Sequence, residues 1–384
     1  MRRSTTLVGS AIALPLVVML AAAAHPSLAD LPTTDVTTDP ATTDPATTDP
    51  IGAEVLARLT GPGSINQTDQ RWDVGGTDLG HMFEHRGKTY VVFGDTFSGE
   101  TPWDGGYWRS NVLAWTTDRD PTDGLTFDGM VEDANGHAAE ILEARKDGDE
   151  ITVIPTYGVS TGARMYLHYM SVSHWGEPGH WDLNHSGLAY SDDDGQTWTK
   201  DPDAVWPGDS NFGQVAYVER GPHVYAFGIP GGRFGGVQLA RVHRTHLLDL
   251  DRYQYWDGAH WVADAGEAVE VVPAPVGELS VRWNSHYKKW IMMYLNDEGN
   301  DDWGTGAVVI RTAECLTGPW SPEQAVLTSH DVPSLYGPYI APRWNNGPDV
   351  YFTLSRFDHY DVYWWRTELP DETRGTAGAR CVAP

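Results

Sequence analysis

Cysteine is scarce in this sequence, since Cys315 and Cys381 are the only two among 384 residues. In an oxidising compartment they could close one disulfide bridge, and otherwise they would be two free thiols; the sequence leaves both open. The 15 histidines include no His-x-x-x-His pattern in a helical segment and no Cys/His cluster, which argues against a zinc centre. We therefore expect no cofactor, although the many carboxylates leave a bound calcium ion open.

Basic residues are also few, with 26 Lys and Arg against 53 Asp and Glu and a formal net charge of −27. Nucleic acids and anionic membrane surfaces would repel so acidic a protein, because their phosphates carry the same sign of charge. The composition therefore argues against both partners and favours a neutral substrate.

Long apolar runs are missing except at the N-terminus. Arg2-Arg3 is followed by an apolar run from Leu7 to Ala24 and then by Ser27-Leu28-Ala29, which is typical of a secretory signal peptide cleaved after Ala29. The run is too short and too rich in alanine for a permanent span, and no later segment reaches membrane length. We predict a signal peptide over residues 1–29 and a secreted, extracellular protein with no integral membrane association.

The next segment, residues 30–52, contains the sequence Thr-Thr-Asp-Pro three times. A stretch of Thr, Pro and Asp cannot bury a core, so we predict an extended linker. The folded catalytic domain is then expected over residues 53–384, and we expect it to be a monomer.

Helical periodicity is almost absent from this domain. The chain has 17 Trp, 17 Tyr and 41 Gly, and short alternating runs are separated by Gly, Asp, Asn and Pro, which predicts an all-β protein. Hairpins recur at similar intervals, each with an aromatic residue early in its second strand: Tyr90, Tyr225, Trp290 and Tyr351, with a weaker copy at Glu150–Ile154. Five such units predict a five-bladed β-propeller. Ile51 to Leu59 could supply the outer strand of the last blade and close the ring.

One turn motif supports the propeller. The stretch from Ser191 to Trp198 matches Ser-x-Asp-x-Gly-x-Thr-Trp, the Asp box of sialidase-like propellers. In this motif an Asp side chain binds backbone amides and Gly takes the left-handed position. We interpret it as structural.

A hairpin near residue 86 carries the main candidate for chemistry. If Arg86-Gly87 is the turn, His85 lies opposite Lys88 and the same register places Asp78 opposite Asp95. Opposed like charges destabilise a sheet, so a chain that keeps them there is expected to use them. We predict that this pair is the centre of the active site.

The repeats extend this cluster. Counting back twelve residues from the aromatic anchor reaches Asp78 in the first unit, Glu278 before Trp290, and Tyr339 before Tyr351. Such equivalent positions share one rim of a propeller channel, which places a third carboxylate, Glu278, beside the pair. Converging carboxylates on a neutral substrate are typical of glycosidases, in which one protonates the leaving oxygen and another activates water or attacks the sugar.

Further candidates are less specific. Trp72 and Tyr339 are predicted to be sugar-stacking platforms, with ordinary rim aromatics as the alternative. Arg233 lies between two Gly-Gly pairs that permit close approach of a ligand, so we predict that it binds substrate. A structural ion pair is the alternative for Arg233, and for Glu278 the alternative is pairing with a channel arginine.

Four motifs of the chain together resemble a known family. They are Thr77-Asp78-Leu79-Gly80, Phe93-Gly94-Asp95-Thr96-Phe97, the run from Tyr225 to Arg233, and the run from Tyr336 to Pro342. The sequence resembles the endo-D-arabinanases of glycoside hydrolase family 183, formerly grouped as domain of unknown function 4185, from about Ala53 to Leu369. The resemblance implies a five-bladed propeller that cuts internal α-linkages between D-arabinofuranose units. It also implies that Asp78 and Asp95 are the two catalytic aspartates, whereas Glu278 rests on the repeat alignment alone.

Three functions follow as hypotheses. The first is a secreted endo-acting hydrolase of cell-wall D-arabinan (arabinogalactan or lipoarabinomannan), with Asp95 as general acid and Asp78 as general base or nucleophile, although the reverse assignment stays open. The second is an exo-acting arabinofuranosidase or a sialidase-like glycosidase. The third is a non-catalytic propeller that binds wall polysaccharide.

Overall fold

The computed structural model describes residues 49–375 and residue 381, and the regular secondary structure of these residues is almost entirely β-strand. The predicted signal peptide at residues 1–29 lies outside the described residues, as does most of the linker predicted at residues 30–52. Within the described part of the chain, no helix is both long enough and apolar enough to span a bilayer.

The strands form five antiparallel sheets, which are the blades of a propeller, so the predicted fold is confirmed. The first strand, which joins the last blade, is β1 (Glu54–Arg58). Blade 1 contains β2 (Gly76–His85), β3 (Lys88–Phe97), β4 (Trp108–Arg109), β5 (Val112–Thr116) and β6 (Gly129–Met130). Blade 2 contains β7 (Thr152–Thr161), β8 (Arg164–Trp175), β9 (Trp181–Ser191) and β10 (Thr199–Pro207). Blade 3 contains β11 (Gln214–Arg220), β12 (His223–Ile229), β13 (Gly235–His243), β14 (Gln254–Trp256), β15 (Trp261–Val262) and β16 (Glu270–Val276). Blade 4 contains β17 (Leu279–Asn284), β18 (Lys289–Asn296), β19 (Ala307–Ala313) and β20 (Gln324–Thr328). Blade 5 contains β21 (Leu335–Ile340), β22 (Asp349–Arg356) and β23 (Asp361–Glu368) in addition to β1.

Helical segments are short in the described residues. The α-helix α1 precedes blade 1, and the remaining segments are single 3-10 turns. Their bounds are Thr68–Trp72 for α1, and Leu250–Arg252, Ala265–Glu267 and Asp371–Thr373 for the turns.

The innermost strands of the five blades surround the central channel. Each contacts the innermost strand of the next blade, in the order β2, β7, β11, β17, β21 and back to β2. These strands are buried on both faces, which is why they are rich in apolar residues without strict alternation. Strand β1 pairs with β23, with Val55 opposite Trp365, so the N-terminal segment closes the ring as predicted.

The aromatic anchors locate four of the five hairpins correctly. Tyr90, Tyr225, Trp290 and Tyr351 all lie on the second strand of a blade. The weaker copy at Glu150–Ile154 is wrong, because it falls on β7, the innermost strand of blade 2. The hairpin turn there comes later, at Gly162, so that Thr161 pairs with Arg164.

The Asp-box interpretation is confirmed. Asp193 accepts hydrogen bonds from the backbone N–H (2.9 Å) and hydroxyl (2.6 Å) of Thr197, and Gly195 has a φ of 85°. Trp198 donates from Nε1 to the carbonyl of Gly195 at 3.0 Å. The motif is therefore the turn between β9 and β10, remote from the carboxylates.

Cys315 and Cys381 form a disulfide bridge, so the first of the two alternatives is confirmed. Cys315 follows β19, and the bridge joins residues 66 apart in sequence. It ties residue 381 to blade 4.

Candidate active site

The hairpin that carries the two aspartates has the predicted turn but not a continuous ladder. His85 lies opposite Lys88, and this register persists to His81 opposite Val92. Leu79 and Gly80 then adopt left-handed conformations, with φ of 67° and 86°, and form a bulge before Thr77 pairs with Thr96. Asp78 and Asp95 therefore share one end of the hairpin without being a regular cross-strand pair. The predicted register is confirmed on both sides of the bulge, since Gly76 also pairs with Phe97, but the direct pairing of Asp78 with Asp95 is absent because the bulge re-aims the strand.

The bulge is held in place by blade 5. The backbone N–H of Leu79 donates to Ser355 Oγ at 2.9 Å, and Thr353 Oγ1 donates to the carbonyl of Gly80 at 2.9 Å. A residue other than glycine with positive φ is strained, so such a bulge persists only where surrounding contacts enforce it. This explains the Thr77-Asp78-Leu79-Gly80 motif as the device that aims Asp78 at the channel.

Gly94 supplies the room that Asp78 needs. A Cβ at this position would lie 2.4 Å from Asp78 Oδ1 and 3.0 Å from Leu79 Cδ1. Any side chain there would displace the carboxylate, which explains the glycine before Asp95.

Gly94→Ala should therefore lower kcat by about 100-fold, because a displacement of order 1 Å at a reacting group has that cost. The variant should still fold, since the added methyl group meets the side chain of Asp78 and not backbone. Initial rates and a thermal unfolding curve measure both effects. Gly347→Ala is the matched control, since a Cβ at Gly347 meets nothing within 4 Å. Equal rates for the two variants would contradict this account of Gly94.

Asp78 is held by two tyrosines of blade 5. Tyr336 and Tyr360 donate their hydroxyls to Asp78 Oδ2 at 3.0 and 3.2 Å. Asp78 Oδ1 is buried and has no hydrogen-bond partner among the described residues. Burial and the charge of Asp95 raise the pKa of Asp78 to about 8, against the lowering effect of the two hydroxyls. Asp78 is thus protonated near neutral pH.

Asp95 is held differently. Trp108 Nε1 and Thr152 Oγ1 both donate to Asp95 Oδ1, at 2.8 and 2.7 Å. Burial raises the pKa of Asp95 to about 6, and these two hydrogen bonds limit the rise. The carboxylate is therefore mostly ionised near neutral pH, with Oδ2 not engaged by these donors.

Glu278 lies beside the pair and forms an ion pair with Arg233. Arg233 donates from Nη2 and Nε to Glu278 Oε1, at 2.9 and 3.1 Å, and from Nη1 to Asp297 at 3.0 Å. Burial lowers the pKa of Arg233, but the two carboxylates outweigh it and raise the pKa above its usual range. Glu278 Oε2 is buried without a partner among the described residues. The structural alternative stated for both residues is thus observed, with one oxygen of Glu278 left free.

The structure places Tyr339 deeper than predicted. It is 3% exposed, and its ring centroid is 5.8 Å from that of His81 and 6.4 Å from that of Tyr157. Burial lowers the pKa of His81 to about 3, so this layer of the channel is neutral. Tyr339 is therefore packed against other rings and offers no exposed face on which a sugar ring could stack.

The residue of blade 5 that corresponds to Asp78 and Glu278 is Tyr336. Asp78 and Glu278 each lie five residues before the partner of their aromatic anchor, and Ala341 occupies that partner position opposite Tyr351. Counting twelve residues back from Tyr351 failed because the hairpin loop of blade 5, residues 341–348, is longer than in blades 1 and 4.

Trp72 does not belong to the site. It lies in α1, is 3% exposed, and donates from Nε1 to Glu132 at 3.0 Å. The guanidinium of Arg71 lies 3.8 Å from its ring centre. A tryptophan that is buried and covered in this way offers no face to a sugar, so the prediction of a stacking platform is wrong.

Sequence reasoning missed the four residues that donate to the two aspartates, namely Trp108, Thr152, Tyr336 and Tyr360, and it missed Asp297, which shares Arg233 with Glu278. Only Tyr336 had a usable signal, its position in the repeat. Trp108 lies on β4 of blade 1 itself, and Thr152 lies on the neighbouring blade 2. Asp297 and Tyr360 lie in segments between strands.

A serine, a histidine and an aspartate form a hydrogen-bond network at the opposite end of the hairpin from the two aspartates. His85 joins Ser160 through Nδ1 at 2.6 Å and Asp194 through Nε2 at 3.1 Å. Ser160 lies in a Gly-x-Ser-x-Gly pattern, but that pattern enters the β7–β8 turn and not the strand-to-helix turn that exposes a hydrolase nucleophile. We interpret this hydrogen-bond network as a structural link between blades 1 and 2.

A cleft of about 800 Å³ also lies apart from the carboxylates. It is lined by the segment before blade 2 and by β9 and β10, including Glu150, His185, Trp198 and Lys200. Glu150 is satisfied there by Ser171 Oγ (2.6 Å) and the N–H of Arg145 (2.8 Å). Asp78, Asp95 and Glu278 do not line this cleft, so its size does not make it the site.

The three carboxyl groups are held in the same way. Asp78, Asp95 and Glu278 each have one oxygen fixed by donors and one oxygen not engaged by those donors. The site therefore combines a protonated acid and an ionised carboxylate, which is what general acid–base or nucleophilic displacement at a neutral substrate requires. The described residues contain no group of three or more His, Cys, Asp or Glu arranged to hold a metal ion.

Several known proteins are similar to this chain. Notoamide biosynthesis cluster protein J of Aspergillus sp. (strain MF297-2) is 30% identical over 337 residues, which cover 82% of this chain and 88% of that protein. A Bacteroides ovatus protein described as a proposed hydrolase has a TM-score of 0.54 at 13% identity, with 82% of this chain and 93% of that one covered. A Bombyx mori β-fructofuranosidase of glycoside hydrolase family 32 has a TM-score of 0.50 at 12% identity, with coverage of 81% and 61%. At these identities the two structures show the fold alone.

The family match is more specific than the fold. The domain of unknown function 4185 (DUF4185) matches residues 63–366, which include the bulge, both aspartates, Arg233 and Glu278. The chain belongs to the DUF4185 family, now called glycoside hydrolase family 183.

Proposed function

We propose that this protein is a secreted glycoside hydrolase that cuts internal α-linkages between D-arabinofuranose units in cell-wall D-arabinan. The observation that carries the reaction type is the pair of aspartates at one end of the hairpin, which are held by different donors. Burial raises the pKa of Asp78 to about 8 and that of Asp95 to about 6. Family membership supports glycoside hydrolysis, and the family resemblance supports the choice of D-arabinan. The net charge of −27 suits a neutral polymer.

In this proposal Asp78 is the general acid, which reverses the assignment made first from the sequence. Tyr336 and Tyr360 donate to Oδ2 and hold the carboxyl group of Asp78, which in this proposal passes its proton to the leaving oxygen. Asp95 presents Oδ2 as the base or nucleophile, because Trp108 and Thr152 hold Oδ1. Glu278 Oε2 is free to accept a hydrogen bond from a sugar hydroxyl.

This assignment predicts a bell-shaped pH profile. We expect kcat/KM to fall below about pH 6 and above about pH 8, because Asp95 must be ionised and Asp78 must be protonated. Below the first value Asp95 gains a proton, and above the second Asp78 loses one. Release of reducing ends from arabinan, measured at closely spaced pH values, tests this. A flat profile across this range would contradict it.

Two conservative variants identify which aspartate causes the fall in kcat/KM on the acidic side of the pH profile (its acidic limb) and which causes the fall on the alkaline side (its alkaline limb). Tyr360→Phe removes a hydrogen bond that lowers the pKa of Asp78, so the alkaline limb should move to higher pH. Thr152→Val removes one that lowers the pKa of Asp95, so the acidic limb should move to higher pH. Each variant should leave the other limb in place, and the opposite pattern would exchange the two roles.

The sialidase-like alternative needs an arginine that can bind a substrate carboxylate. Arg233 lies beside the aspartates, but its Nε, Nη1 and Nη2 already donate to Glu278 and Asp297. An anionic sugar would therefore meet uncompensated carboxylates, and a neutral sugar is favoured.

The direct test is to incubate the purified protein with arabinogalactan and to size the products. Oligosaccharides of several lengths early in the reaction would support endo-acting hydrolysis. Release of single arabinose units alone would support the exo-acting alternative, and binding without products would support the non-catalytic one. Export is tested separately, since the proposed cleavage leaves Asp30 as the N-terminal residue of protein recovered from the medium.

A further inference from the structure

We propose that an aromatic band across the mouth of the channel binds arabinan on both sides of the reacting linkage. The proposal rests on the proposed function for the identity of the polymer. The band consists of Trp103, Phe357, Tyr336, Arg233, Trp181 and Trp175.

One arm of the band leads from solvent to Asp78. The rings of Trp103 and Phe357 meet edge to face with centroids 5.3 Å apart, and Phe357 meets Tyr336 at 6.2 Å. Tyr336 in turn donates its hydroxyl to Asp78 at 3.0 Å. Trp103 follows β3 and Phe357 follows β22, so blades 1 and 5 build this arm together.

The other arm leads away from Glu278. The guanidinium carbon of Arg233 lies 5.3 Å from the ring centre of Tyr336 and 5.7 Å from that of Trp181. The rings of Trp181 and Trp175 are 5.7 Å apart. Blades 2 and 3 therefore build this arm, which joins the first at Tyr336.

The two ends of the band are exposed to solvent, whereas its centre is buried. Trp103, Phe357 and Trp175 are 48%, 50% and 42% exposed at the two ends, whereas Tyr336 in the middle is 5% exposed. Large aromatic side chains left this exposed in a continuous array mark a binding surface. A ligand that covers both ends must pass over the carboxylates at the sunken centre.

The chemistry of the band suits a neutral sugar polymer. Aromatic faces and edges bind the apolar C–H surfaces of sugar rings, and they carry no net charge. Since the arms leave the centre in two directions, the polymer must extend beyond the reacting linkage both ways, which is the requirement for internal cleavage.

The test measures binding apart from cleavage. Arabinogalactan is titrated into Asp95→Asn and into the same chain with Trp103→Ala or Trp175→Ala added. We expect each added substitution to weaken binding about tenfold, the effect of losing one aromatic contact. In the chain with both aspartates, each should raise KM for arabinogalactan and alter the lengths of early products.

The matched control is Trp283→Ala. Trp283 is 40% exposed and packs edge to face on Trp290 at 5.4 Å, as Trp175 packs on Trp181, but it lies at the far end of β17 from Glu278. Its loss should not change binding.

The outcomes separate the two proposals. One outcome is that the parent protein does not cleave arabinan, while Asp95→Asn binds arabinogalactan in a way that depends on Trp103 and Trp175. This outcome would support the band and overturn the proposed reaction. Cleavage by the parent, with binding and product lengths unchanged by both tryptophan substitutions, overturns the band alone. Failure of Asp95→Asn to bind arabinogalactan, or equal loss of binding in Trp283→Ala, also overturns the band.

Discussion

Asp78→Asn and Asp95→Asn should each lower kcat by at least about 100-fold and up to about 10,000-fold, the contribution that general acid–base catalysis makes. The reason differs between the two variants. Asn at position 78 cannot release a proton to the leaving oxygen, whereas Asn at position 95 cannot accept one or attack. Release of reducing ends from arabinan measures the loss.

The fold should survive both substitutions. Asp78 is protonated near neutral pH because burial and the charge of Asp95 raise its pKa to about 8, so Asn replaces a group that is already neutral. The amide oxygen can still accept from Tyr336 and Tyr360. Thermal unfolding of Asp78→Asn near neutral pH should therefore match that of the parent chain.

Asp371→Asn is the control for a loss of charge alone. The side chain of Asp371 is 95% exposed in a 3-10 turn after blade 5. This variant should retain activity and change the free energy of unfolding by no more than about 0.5 kcal/mol, as is usual at exposed positions. Activity in Asp78→Asn or Asp95→Asn equal to that of Asp371→Asn would exclude the aspartate from the reaction.

Arg233→Met should have the largest effect on stability. It leaves Glu278 and Asp297, whose side chains are 6% and 21% exposed, without their shared cation. Breaking a buried ion pair from one side costs about 3–5 kcal/mol, because a buried charge loses its compensation. Urea unfolding near neutral pH measures this loss as a lower midpoint.

Arg366→Met provides the matched comparison. Arg366 also lies between two carboxylates, Glu54 at 2.6 Å and Asp349 at 3.9 Å, but its side chain is 40% exposed. Exposed pairs contribute about 0–1 kcal/mol, so this variant should unfold close to the parent. If Arg233→Met does not fold at all, Glu278→Gln added to it should recover part of the stability. Equal losses for Arg233→Met and Arg366→Met would contradict the role given to burial.

Local sequence patterns were sufficient for the part of the site that lies on one hairpin. Asp78 and Asp95 flank a single turn, so an approximate register brought them together even though the bulge at Leu79 and Gly80 was not foreseen. The bulge could not be predicted from the ladder, because its left-handed residues are held by Ser355 and Thr353 of another blade.

Patterns failed where the site depends on contacts between blades. Tyr336 and Tyr360 lie 258 and 282 residues from Asp78 in sequence, and apart from the position of Tyr336 in the repeat no signal links them to it. The twelve-residue count selected Tyr339 because it assumed equal hairpin loops in all blades. Trp72 was selected for its residue type, and only its packing shows that both its ring and its Nε1 are already occupied.

The sequence by itself determined the propeller, since aromatic strands and glycine turns recurring at similar intervals bury a continuous core only when stacked as blades. It also determined the pair of aspartates, because two residues on one hairpin are neighbours whatever the rest of the chain does. Tertiary structure alone decided which oxygen of each carboxylate is free and which aspartate holds the proton. Both depend on burial and on donors from other blades, and those come together only when the ring of blades is closed.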